Sequence, residues 1–77
     1  MNDKLNMKRV KGLSETAFNN VRELETAAFV FWAYAREHEM SNEELVRLMG
    51  VITSMIDPVV NSVGACKEAA AEGLSNG

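Results

Sequence analysis

Apolar residues recur along most of this chain at alternating intervals of four and three. Ala17, Val21, Leu24, Ala28, Phe31 and Ala35 form one such run, and at about 100° per residue they share one face of a helix. Ser14 ahead of them is a good N-cap residue, and Glu15 puts a negative charge at the positive end of the helix dipole. A second run, Leu45, Met49, Ile52, Ile56, Val59, Val63, Cys66 and Ala70, keeps the same intervals, with Arg47, Ser54, Asp57, Asn61, Glu68 and Glu72 on its opposite face. The pattern breaks between Glu37 and Met40. Ser41 and Glu44 then spell an S-x-x-E capping box, in which each side chain satisfies the other's free backbone N–H, and Met40 and Leu45 are spaced as a hydrophobic staple.

These signals predict an all-α chain of two helices. A short connection makes them antiparallel neighbours, and the heptad-like steps favour a shallow crossing. Gly50 and Pro58 interrupt the second helix: glycine costs about 1 kcal/mol there relative to alanine, and proline removes a backbone donor and crowds the preceding turn. The helix is therefore expected to kink near Pro58, or to break there with Asp57 capping a new segment. The stripe keeps phase across Pro58, which favours the kink. Residues 1–12 read as a basic, flexible arm closed by Gly12, residues 13–72 as the hairpin, and residues 73–77 as a frayed tail.

Apolar residues outside the two stripes change the picture. Phe18, Phe29, Trp32 and Tyr34 on the first helix and Leu48, Val51 and Met55 on the second cannot all be covered by one hairpin. They are the candidate interface for a second copy or a partner. Chain length points the same way, because 77 residues support one domain whose core rarely supplies more than about 3–5 kcal/mol unaided. One cysteine allows no internal disulfide and one histidine leaves little for a metal. The expected architecture is a hairpin that dimerises into a four-helix bundle.

Charge is unevenly spread. Residues 1–12 carry Lys4, Lys8, Arg9 and Lys11 against Asp3, a net +3, while the remainder carries four basic and ten acidic groups, a net −6. An acidic body repels phosphate backbones, so nucleic acid is a disfavoured partner and the arm is the one place that could bind it. The start of the chain lacks a secretory pattern, and the longest apolar run, Ala27 to Ala35, falls short of the roughly 20 residues of a membrane span. A lone thiol suits a reducing, cytoplasmic setting.

The chemistry-bearing residues read plainly. His38 sits where the first helix ends, a favourable place beside the helix dipole, and no H-E-x-x-H spacing accompanies it. Cys66 lies on an apolar stripe, where a packed thiol is inert. Met40, Met49 and Met55 fit irregular gaps in a core. The glutamates around the bend form a solvated face that could meet a basic partner. Neither a phosphate loop, a zinc spacing nor a catalytic triad is present, so no enzymatic activity, metal or cofactor is expected.

Leu5 and Met7 alternate with Lys4, Asn6 and Lys8 before the cap at Ser14. That order resembles the ribbon–helix–helix DNA-binding proteins over residues 4–55, and the resemblance implies a strand that enters the major groove with Lys4, Lys8, Arg9 and Lys11 beside it. The chain departs from that pattern in length: Leu13 and Ser41 lie 28 positions apart where the family has a short helix, and the second stripe runs on to Ala70. The function expected from these observations is a small non-enzymatic interaction protein, an inhibitor, adaptor or regulator of the kind bacterial and phage genomes often encode. A DNA-binding regulator and a structural assembly subunit are the alternatives.

Overall fold

A computed structural model describes residues 2–76, with side-chain environments over residues 4–74. It is a helical hairpin: α1 spans Asn2–Glu37 and α2 spans Asn42–Asn76, packed along their length. The molecule measures 57 × 16 × 13 Å, with a radius of gyration of 17.4 Å, where a compact domain of this length would have about 11 Å.

The bend forms as its sequence predicts. The backbone N–H of Glu44 donates to Ser41 Oγ at 3.1 Å, and the N–H of Ser41 donates to Glu44 Oε1 at 3.3 Å. The Leu45 N–H makes the first intrahelical bond to the Ser41 carbonyl at 3.0 Å. Met40 is half-buried and borders a shallow groove with Phe31, Leu48 and Val51. Ser41→Ala removes the bond accepted from the Glu44 N–H, and the one that the Ser41 hydroxyl donates to Glu44 Oε1 at 3.1 Å, and is expected to cost about 1 kcal/mol, whereas Asn42→Ala, one residue into the helix, should be nearly neutral. Urea melts at one fixed protein concentration compare them, and equal midpoints for the two variants would displace the start of α2.

Three expectations are corrected. Helix α1 does not begin at Ser14 but runs through residues 2–12. The Ser14 hydroxyl donates to the Lys11 carbonyl at 2.9 Å, a mid-helix arrangement in place of a cap. Leu5, Met7, Lys8, Arg9 and Lys11 are good helix formers, and Asn6, Val10 and Leu13 already follow the four–three rhythm that faces α2. The strand implied over residues 4–8 is likewise helical. Helix α2 also passes Gly73 to Asn76, so the expected stop there is not made; Met1 and Gly77 lie outside the described residues.

Pro58 sits inside one continuous helix, and the alternative of a break is overturned. Pro58 itself is exposed, and contacts from α1 reach its carbonyl and the next turn. Asn20 Nδ2 donates to the Pro58 carbonyl at 3.3 Å and to Ser62 Oγ at 3.0 Å, while the Ser62 hydroxyl donates back to the Pro58 carbonyl at 2.7 Å. A proline inside a helix costs about 3 kcal/mol in isolation. Packing against α1 and this polar cluster offset that cost at mid-hairpin.

The seam between the helices is a further correction. Apart from Ser14, Ala33 and Gly64, the half-buried or buried positions on α1 are Asn6, Val10, Leu13, Ala17, Asn20, Leu24, Ala27 and Phe31; on α2 they are Leu48, Ile52, Met55, Val59, Ser62, Cys66, Ala69 and Gly73. In heptad terms these are the a and d positions of both helices. The predicted stripes share only every second member with them. Val21, Ala28, Ala35, Leu45, Met49, Ile56, Val63 and Ala70 are exposed instead. Among the described residues only Ala17 and Ala69 are buried, and no large side chain is fully so.

Candidate interaction face

With a and d turned toward the hairpin seam, each helix carries a second apolar row at its b and e positions. On α1 the row includes Met7, Phe18, Val21, Ala28, Trp32 and Ala35; on α2 it includes Val46, Met49, Ile56, Val60, Val63, Ala70 and Leu74. All are exposed, Phe18 at 71%, Val60 at 60% and Leu74 at 85%. On a helix at 100° per residue, the b/e row is centred about 100° around from the a/d row. A helix with two apolar rows at nearly a right angle is built to touch two neighbours.

Both rows open on the same side of the hairpin. Arg9 and Glu72, both g positions, pair at 3.0 Å and mark one flank as the g side of each helix. On the other flank, Met7, Lys11, Ser14, Ala70 and Leu74, all b or e residues, line one open groove together with Asn6, Val10 and Gly73. The groove has a volume of about 680 Å³. Gly73 helps to make it, because a Cβ there would run into the Asn6 amide. The g and c flank is more polar, carrying Arg9, Thr16, Glu23, Arg47, Ser54, Asn61, Glu68 and Glu72. Leu5, Val30 and Val51 are its large apolar exceptions.

The sequence candidates divide accordingly. Phe18 and Trp32 belong to the b/e face. Leu48 and Met55 are half-buried in the hairpin's own seam, and Phe29 lies on the back of α1, its ring centroid 6.0 Å from that of Trp32. Val51 borders the shallow groove near the bend, about 270 Å³ in volume. Tyr34 turns to the helix end, its ring stacked on His38 at 4.2 Å. The backbone N–H of His38 donates to the Tyr34 carbonyl at 3.0 Å, and its ring Nδ1 lies 3.1 Å from the same oxygen. His38 thus caps α1. Cys66 is half-buried in the seam. Among the described residues no three metal-ligating side chains converge.

The basic residues of the start of the chain do not gather. Lys4 and Lys11 lie on the b/e side, Lys8 on the back, and Arg9 is held by Glu72 on the opposite flank. Sequence reasoning missed Val46, Val60 and Leu74 as parts of an exposed face. Their signal was present in the regular intervals Val46, Met49, Thr53, Ile56, Val60, Val63, Lys67, Ala70, Leu74, a second row one step removed from the first.

By length and composition α2 could cross a membrane. Its c and f positions nevertheless carry Arg47, Ser54, Asp57, Asn61 and Glu68, so it is apolar on part of its circumference only, whereas a lipid-embedded helix is apolar all round. The fold and this face define a two-helix hairpin with one unpartnered apolar side. No family model, curated protein or solved structure matches the chain.

Proposed function

We propose that this protein is a non-enzymatic interaction module that works as a homodimer of helical hairpins, a four-helix bundle, and engages another protein through the surface the bundle leaves free. The observation that carries this reading is the continuous b/e face. Accessible surface supports it: the hairpin exposes 6280 Å², about 1,600 Å² more than the roughly 4,700 Å² of a folded monomer of this mass. A standard interface removes about 800 Å² from each partner, so a second hairpin laid on this face takes up a large part of the excess.

The surface left over carries Val30 and the shallow groove near the bend, lined by Phe31, Met40, Glu44, Arg47, Leu48 and Val51, with Glu37, Glu39 and Glu43 exposed in the same bend region. That combination suits a protein partner with an apolar anchor among basic residues. The amphipathic character of α2 favours this use over membrane insertion, and the lone thiol fits a cytoplasmic setting. Sedimentation equilibrium at micromolar concentration should give about twice the 8.5 kDa chain mass. A monomer with a cooperative melt overturns the reading, and species growing beyond the dimer would instead mark an assembly subunit.

A further inference from the structure

The apolar face differs from one end to the other, in shape and in charge, and both differences run along the same axis. The open end, where α1 begins and α2 ends, holds the groove lined by Met7, Val10, Ala70, Gly73 and Leu74. The bend half holds Trp32, half-exposed on the same face and steadied by the Arg36 guanidinium 4.9 Å from its ring centroid. Asn20 lies at the middle of α1. At 1.5 Å per residue the groove centre is about 15 Å from that midpoint toward the open end, and Trp32 is about 18 Å from it toward the bend. The hole and the knob are nearly equidistant from the centre.

Charge repeats this arrangement. The basic side chains on the b positions, Lys4 and Lys11 of α1 and Lys67 of α2, all lie in the open half. The acidic b residue Glu25 lies in the bend half. Because α2 runs back along α1, Lys67 sits about 10 Å from the midpoint on one side and Glu25 about 8 Å on the other. A two-fold axis running across the face lays α1 on α1 and α2 on α2 of the second copy, which brings Lys11 of each copy to within about 6 Å, along the axis, of Glu25 of the other and each Trp32 over the half that holds the groove. Stacking bend on bend would lay α1 of each copy on α2 of the other, set Lys67 of one copy against Lys11 of the other and leave both grooves unfilled.

We infer that the face is covered by a second copy lying antiparallel, bend end over open end, with Trp32 of each copy seated in the groove of the other and Lys11 of each beside Glu25 of the other. The inference rests on the dimer proposed above and adds its orientation. A two-fold interface of this kind is self-complementary and closes at two copies.

Orientation is tested by pulsed electron spin resonance on the full chain, with Cys66→Ala removing the native thiol and Asn42→Cys carrying one spin label per copy at the bend. The expected distance between labels is about 50 Å, twice the half-length of α2. A distance near 20 Å, about two helix spacings, overturns the orientation and leaves the dimer standing; a monomer in sedimentation removes both. Charge exchange is the second measurement. Lys11→Glu should raise the dimer dissociation constant about tenfold at low salt, and adding Glu25→Lys should restore it. Failure of Glu25→Lys to restore affinity overturns the pairing.

Discussion

Val60→Asp should leave the chain largely unfolded at micromolar concentration. In a lone hairpin this side chain is 60% exposed, and an exposed helix position tolerates such a change for no more than about 1 kcal/mol. Covered by a second copy, Val60 lies in the middle of the b/e face, and each copy would bury a carboxylate with no partner. Burial of an unpaired charge costs about 3 kcal/mol or more, comparable to the whole stability of a chain this small. Asn61→Asp adds the same charge one residue further along the polar flank and should change little. Helical circular dichroism and sedimentation compare the two. Equal behaviour would mean that the b/e face stays bare in solution.

The second large effect is expected at Ala69→Leu. Ala69 is completely buried in the seam between α1 and α2. Three added carbons have no space between the backbones, and overpacking of this kind costs about 1–3 kcal/mol. Each kilocalorie lowers the melting temperature of a domain this size by about 4–8 °C. Ala71→Leu, exposed on the back of the same helix, adds equal volume where nothing opposes it. A thermal melt in which both variants match the parent would show that the seam does not pass through Ala69.

Much of the hairpin is legible in residue order. The capping box at Ser41 and Glu44 is a local device, complete within four residues, and its bonds form as the sequence predicts. The end of α1 at Glu37, the start of α2 at Asn42 and the polar back of α2 are local in the same sense. Signals that depend on what surrounds them misled. Ser14 and Gly12 look like the start of a helix, yet continuing an existing helix adds one hydrogen bond per residue fixed, whereas starting a new one requires an unfavourable nucleus. The helix therefore runs through both. Pro58 looks like a break, but its neighbours are held against α1 through Asn20 and Ser62.

Residue order determined that each helix has a broad apolar side, which way that side points and where the chain turns. The direction it points is an average. The predicted stripes, Ala17 through Ala35 and Leu45 through Ala70, fall at a and e positions, and that line bisects the a/d and b/e rows. Tertiary structure decided the division between them: α1 and α2 meet along a/d, leaving Phe18, Trp32, Val60 and Leu74 on an open b/e face. The physical reason is that hydrophobicity along a single helix records the sum of its apolar neighbours and not their number. Only the packed pair of helices shows that one neighbour accounts for half of that sum.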